Sequence, residues 1–502
     1  MKKYLHTLLF AIYPILFYFN INKNEIFLSN IFTPLLYCLV FAGFIFSIFY
    51  FIIKRKENVG VLTSTFIFLF FSYGHVIIEF GKSYKNLIIG IWLLIFISIV
   101  ILSIKKSFKK INPALNFISV FLLIFLLFDI LKNPKLIKLV DTPIKISEKT
   151  TNTALNKNLR DIYFIVPDRY PAQEVLSKYY GFDNSQFISY LKEKGFVIAD
   201  KSHSVYPTTT MSLGSELNMK FLNDFTAQYG TETSDFKPVV SLLRNNRVGQ
   251  ILKEKGYTYL NLGSWWHVTQ RIDVADVNFN SKGLVNDEFI VRFLETTMFS
   301  EFSDVLLPEN LRLNHRNEQR KTADFQSEKI KEIVEMKSPK FVFIHMILPH
   351  PPYVFDKNCK FLKEKFTDSR TEIENYKDQI QCANKKLKAM IDLIFEKSKR
   401  PPIFILQADE GPHPIKSPLP KDNDWKNADN IALEEKFKIF TALYFPDIDQ
   451  TTIPNNISPV NTFRFIFNNY FGENFEYLPN KTFIFKDQGH IFDYKEITNE
   501  FR

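Results

Sequence analysis

Five apolar runs crowd the first 131 residues: Tyr4–Ile21, Ile31–Ile53, Val61–Phe80, Leu87–Ile104 and Ile111–Leu131. Each is close to the ~20 residues that carry a helix across a hydrocarbon core ~30 Å thick. Five in series argue for membrane spans over buried helices of a soluble fold. No small-residue cleavage site follows the first run, so it reads as a retained helix and not as a secretory signal. The stretch up to Val140 holds 15 basic and 4 acidic residues, leaving 48 of the 63 basic and 49 of the 53 acidic residues to the rest of the 502-residue chain. A basic excess confined to the apolar end is a membrane pattern, whereas a nucleic-acid-binding protein carries it on a soluble domain.

The loops between the runs set an orientation. Lys2 and Lys3 precede the first run, Lys54, Arg55 and Lys56 follow the second, and Lys105, Lys106, Lys109 and Lys110 follow the fourth, while the alternate loops are weakly charged. The positive-inside rule then places the N-terminus in the cytoplasm and everything after Leu131 outside, at the plasma or inner membrane. Lys132, Lys135 and Lys138 fall on the wrong side, but they precede a large translocated domain, where the bias weakens.

Beyond a polar linker the pattern changes to short apolar runs alternating with helical periodicity. Strands are expected at Ile162–Val166, Phe196–Ile198, Tyr257–Leu260, Phe341–Met346, Ile403–Gln407 and Ile439–Tyr444. Helices are expected at Ser185–Lys194, Pro238–Lys255, Thr322–Met336 and Glu372–Lys397. Nearly continuous apolar strands between amphipathic helices indicate a mostly parallel sheet covered on both faces. The expected architecture is a five-span helical membrane bundle over residues 1–138, a linker over 139–160 and an extracytoplasmic α/β domain over 161–502.

In open α/β sheets, ligands gather outside the carboxyl ends of the strands. Two strands end in acids there, at Asp168 and at the consecutive pair Asp409-Glu410. Three carboxylates converging on one rim would repel unless a cation sits among them. Separate strand-end acids are the plainer alternative. Between them in sequence lies a hydroxyl cluster, Ser-Val-Tyr-Pro-Thr-Thr-Thr-Met-Ser-Leu-Gly-Ser from Ser204 to Ser215. A hydroxyl at a helix N-terminus beside a divalent metal becomes a usable nucleophile, and without one it is a plain cap. His345, inside a strand, reads as a satisfied core residue, and His413, three residues after Glu410, is placed to reach a substrate. Cys359 and Cys382 both fall outside the membrane, where disulfides persist, so a bridge between them and two unpaired buried thiols are both open.

Together, Asp168, Tyr-Pro-Thr-Thr-Thr-Met-Ser-Leu-Gly-Ser, Leu-Pro-His-Pro-Pro-Tyr ending at Tyr353 and Gln-Ala-Asp-Glu-Gly-Pro from Gln407 resemble the membrane sulfatase-like proteins of the alkaline phosphatase superfamily. That group includes the lipoteichoic acid synthases and phosphoethanolamine transferases. The resemblance implies a single divalent metal held by Asp168, a Thr nucleophile and Asp409. Thr209 best matches the nucleophile, with Thr208 and Thr210 as rivals, and His350 matches a histidine near the transferred group. The chain departs from the pattern at Glu410, which stands where His is usual. Glu410 is expected to ligate the metal in its place beside Asp168, Thr209 and Asp409, which makes the site all oxygen and favours Mn²⁺ or Mg²⁺ over Zn²⁺. A formylglycine sulfatase is excluded, because no Cys or Ser supplies the Cys/Ser-x-Pro-x-Arg signature. The cysteines stand in Cys38-Leu-Val, Cys359-Lys-Phe and Cys382-Ala-Asn.

The expected function is a membrane-anchored phosphoryl-group transferase. It would move a phosphoglycerol- or phosphoethanolamine-type fragment from a membrane lipid donor to a glycan or lipid acceptor through a phospho-threonine. Two alternatives remain at this level. One is a hydrolase using water as acceptor, and the other is a non-catalytic lipid-sensing scaffold that lost its metal, suggested by Glu410.

Overall fold

A computed structural model describes residues 4–132, 159–281, 288–308, 311–419 and 424–500. The expected linker lies outside the described residues apart from its last two. The chain divides into two compact units, one of residues 1–148 with 287–315 and the other of residues 149–286 with 316–502.

The first unit is built on five apolar helices: α1 (Leu5–Ile21), α2 (Phe32–Ile52), α3 (Lys56–Phe80), α4 (Lys85–Lys105) and α5 (Ile111–Leu131). Four stretches are long and apolar enough to cross a membrane, namely Leu28–Ile52, Lys56–Phe80, Lys85–Lys105 and Ile111–Leu131, while α1 is shorter at 17 residues. Helix α3 is the most enclosed of the five, and its polar residues are used inside the bundle. Asn58, at its N-terminal turn, donates to the Ser103 and Lys106 carbonyls and accepts from the Phe108 amide. His6 bridges Ser64 and Asn112 across α1, α3 and α5 at 2.7 and 2.8 Å. Such pairing satisfies polar groups that hydrocarbon could not solvate.

The second unit is a seven-stranded sheet in the order β2-β7-β6-β1-β5-β3-β4. The strands are β1 (Ile162–Pro167), β2 (Val197–Ile198), β3 (Thr258–Leu262), β4 (Val277–Phe279), β5 (Lys340–Met346), β6 (Ile403–Gln407) and β7 (Thr441–Tyr444). β1 lies between β5 and β6, parallel to both, and β7 alone runs against its neighbours. Every residue of β1, β5 and β6 is buried, which is why their sequences are apolar without alternation. A separate two-stranded ribbon pairs β8 (Phe483–Phe485) with β9 (Tyr494–Glu496).

Two expectations change here. The single helix expected over Pro238–Lys255 is two, Lys237–Arg244 and Arg247–Glu254. Asn246 breaks it, because its side chain accepts from the Gly249 amide and caps the second helix. Strands β4, β8 and β9 were not anticipated, since three residues are too few to display a period. Cys359 and Cys382 are disulfide-bonded, with Cα atoms 4.9 Å apart, tying the loop after His350 to the helix Glu372–Lys397.

Candidate metal centre

The parallel register brings three ligating groups to the carboxyl rim of the central strands. Asp168 follows β1 directly, and its amide continues the ladder by donating to the Met346 carbonyl at 2.9 Å. Asp409 follows β6. His345 is the penultimate residue of β5, paired in register with Val166. One ligand atom from each of Asp168, His345 and Asp409 lies within 4.8 Å of the other two, and all three residues are buried. His345 Nε2 stands 3.5 Å from Asp168 Oδ2. Asp168 Oδ1, Asp409 Oδ2 and His345 Nε2 have no hydrogen-bond partner among the described residues. Buried polar atoms without partners are costly, and one on each member of this close group fits a divalent cation.

Electrostatics agree with the geometry. Burial raises the Asp168 carboxyl to about 7, with Glu410 adding to the rise and Arg169 and Lys436 opposing it. Asp409 is also pushed up, by burial first and then by Asp168 and Glu410. Burial lowers His345 to about 4 against the pull of Asp409 and Glu410, so its imidazole is neutral. Its Nδ1 lies 2.8 Å from the Thr269 hydroxyl, which in turn lies 2.8 Å from that of Ser264. With the proton on Nδ1, the Nε2 lone pair faces the carboxylates, the arrangement a metal-binding histidine requires.

Thr209 is the first residue of the helix Thr209–Glu216 and is buried, with its side chain near enough to Asp409 to pull that carboxyl down against its burial. Thr208 caps the same helix in extended backbone, and its hydroxyl is buried without a partner among the described residues. Of the three threonines, the structure sets Thr209 against Asp409.

Glu410 stands outside the Asp168–His345–Asp409 group, although its Oε2 is likewise buried without a hydrogen-bond partner among the described residues. Its Oε1 accepts from Lys436 Nζ at 2.7 Å and lies 3.5 Å from Arg169 Nε, and the Glu410 and Lys436 side chains are each 3% exposed. The close packing of Gly411 on the helix Asn430–Phe437 sets this pair. The Gly411 amide donates to the Lys436 carbonyl at 2.7 Å, and a Cβ on Gly411 would collide with the Glu435 carbonyl. The case for Mn²⁺ or Mg²⁺ over Zn²⁺ rested on an all-oxygen site. With an imidazole in the group, donor chemistry no longer gives that preference.

Arg169 has φ +62°, a left-handed conformation that costs a non-glycine residue about 1–3 kcal/mol. There its amide lies 3.4 Å from Asp409 Oδ1 while its guanidinium pairs with Glu410. His350 and His413 share the surroundings of these cations. Burial, with Arg169 and Lys436 adding to it, holds His350 well below the usual imidazole range. His350 Nδ1 bonds to the Pro351 carbonyl. Burial, Lys436 and Arg169 lower His413 to about 4. Sequence reasoning missed His345, Arg169 and Lys436. A histidine within an apolar strand, one residue before its end, was the one available signal, because strand ends line the rim.

The description "Sulfatase" belongs to the family whose model matches residues 160–468. No curated protein matches the chain. Among solved structures it is similar to the C-terminal periplasmic domain of phosphoethanolamine transferase EptC from Campylobacter jejuni (12% identity, 62% of this chain and 89% of that one, TM-score 0.36). It is also similar to the soluble domain of lipooligosaccharide phosphoethanolamine transferase A from Neisseria meningitidis (13% identity, 62% and 87%, TM-score 0.36). A third is a 2-O GAG sulfatase (12% identity, 65% and 77%, TM-score 0.37).

Proposed function

Because the chain belongs to the sulfatase family, whose model covers more than half of it, we propose that it is a membrane-anchored, metal-dependent phosphoryl-group transferase. It moves a phosphoglycerol- or phosphoethanolamine-type head group from a membrane lipid to a glycan or lipid acceptor of the envelope. The reading rests on the Thr209 hydroxyl, at the first turn of its helix and near Asp409, beside the buried Asp168–His345–Asp409 group. A divalent cation bound there would neutralise charge and lower the hydroxyl pKa. Asp168, His345 and Asp409 would hold it, with Thr209 as a further oxygen donor.

Thr209 Oγ attacks the lipid phosphodiester. The new P–O bond forms as the bond to the lipid glycerol oxygen breaks, and the proton lost by Thr209 is balanced by the one the leaving alcohol gains. The acceptor hydroxyl then attacks the same phosphorus and releases Thr209. Neutral His350, with Nδ1 engaged by Pro351, has Nε2 to take the acceptor's proton, and the departing Thr209 oxygen regains one proton, so the cycle closes. Glu410 fixes Arg169 and Lys436 as cations for the phosphoryl oxygens, and His413 flanks them. The basic loops support a cytoplasmic N-terminus with the sheet unit outside, where a membrane lipid donor is within reach. The sensor alternative drew on Glu410, and the imidazole of His345 beside the two aspartates favours catalysis instead.

Intact-mass measurement after incubation with phosphatidylglycerol or phosphatidylethanolamine vesicles tests this. A head-group phosphate adduct is expected on the wild type and on Thr209→Ser, and none on Thr209→Ala. An adduct that survives Thr209→Ala overturns the assignment.

A further inference from the structure

Between β4 and β5 the chain leaves the sheet unit, and residues 287–315 pack with the membrane helices. Two short helices lie there, Glu288–Glu295 and Phe299–Leu306. Phe289 and Phe293 are buried in one apolar cluster with Phe19, Phe70 and Phe71. Their rings meet Tyr18 at 5.1 and 5.6 Å, and Phe293 also stacks on Phe71 at 5.7 Å. The attachment includes backbone: the Gly74 amide donates to the Thr296 carbonyl at 3.0 Å, and the Met298 amide to the Phe70 carbonyl at 2.9 Å. Gly74 is required, because a Cβ there would collide with the Thr296 carbonyl. Glu301 pairs with Lys85 at 3.2 Å.

These partners mark one end of the bundle. Tyr18 lies in the last turn of α1, Gly74 in the last two turns of α3, and Lys85 opens α4. The basic loops after α2 and α4, with Lys54, Arg55, Lys56, Lys105 and Lys106, are at the other end. The remaining face of the hairpin is apolar and open: Phe302 is 47% exposed, Val305 81%, Leu306 74% and Leu311 55%. It continues a surface of the same kind, because Ile78, Phe80 and Leu87, at the same ends of α3 and α4, are also exposed. On membrane helices such residues face acyl chains. A patch on a helix pair joined to those helices by Lys85–Glu301 has the same solvent within reach.

We propose that the helices Glu288–Glu295 and Phe299–Leu306, with Leu311, form an interfacial hairpin. Phe302, Val305, Leu306 and Leu311 seat in the boundary between head groups and acyl chains, at the end of the bundle away from the basic loops. The partner is a lipid surface. Burial of four large apolar side chains is a substantial anchor at roughly 25 cal/mol per Å², and it makes the insertion between β4 and β5 a second membrane tether besides the span-to-sheet linker. The inference rests on the spans and is independent of the proposed chemistry.

The test uses full-length protein in phosphatidylcholine–phosphatidylglycerol vesicles. Val305→Cys and Leu306→Cys, each in a Cys38→Ala background, carry an environment-sensitive fluorophore, with Lys399→Cys as an aqueous control. Both hairpin labels should shift to the blue, be quenched by lipids brominated near the head group, and be quenched several-fold less by aqueous iodide than the control. Iodide quenching equal to the control overturns the proposal. So does protection from iodide without quenching by brominated lipid, which would mean a second copy covers the face.

Discussion

At Glu410 a single side chain separates two accounts of the site. A carboxylate beside a metal-binding aspartate looks like a ligand when only its neighbours in sequence are considered. In the fold, Lys436, 26 residues further on, holds it in an ion pair with almost no solvent. Removing one partner of such a pair leaves the other charge buried and costs about 3–5 kcal/mol. Glu410→Gln is therefore expected to lower unfolding stability by that order while the protein still binds its divalent metal. Thr269→Val is expected to act on the metal first. It removes the hydroxyl that orients His345, and loss of such a support weakens metal affinity about 10–100-fold, with a smaller stability loss of about 1–3 kcal/mol from the buried partners left unpaired. Urea unfolding and calorimetric metal titration of both variants decide the matter. A metal affinity that falls in Glu410→Gln but not in Thr269→Val would return the ligand role to Glu410.

Among the elements, the helix Asn430–Phe437 and the turn after β6 act as a pair. Gly411 lies so close to the Glu435 and Lys436 carbonyls that no side chain fits between them. Gly411→Ala should push that helix outward, with an overpacking cost of about 1–3 kcal/mol, and should draw Lys436 away from Glu410. The expected readouts are a lower unfolding midpoint and a loss of adduct formation on Thr209. Normal transfer at normal stability would show that this contact does not position the site. The helix Thr209–Glu216 is simpler in origin: a cluster of small hydroxyl residues after a proline starts it, and its first turn meets Asp409.

For the whole molecule, the buried acids link metal, pH and stability. Asp168 ionises near 3.8 when unfolded and near 7 in the folded, metal-free protein. Between those values the folded state holds the extra proton, so raising the pH through that window removes stability. In chelator, Asp168→Asn should be more stable than the wild type by a margin that grows from pH 4 to pH 7. Saturating divalent metal should reverse the order, since the cation favours the ionised carboxylate. Thermal unfolding across that range checks both signs, and a margin flat with pH would sink the linkage. The sequence by itself determined the apolar helices, the α/β pattern after them and the strand-end acids Asp168 and Asp409. These depend on local period and composition, which each segment carries alone. The tertiary structure decided that His345 joins the acids, that Glu410 belongs to Lys436 and Arg169, and that residues 287–315 pack with the membrane helices. Each of those depends on which distant segment becomes a neighbour. A histidine in an apolar strand, an acid in a turn and an amphipathic helix look the same in sequence whatever packs against them.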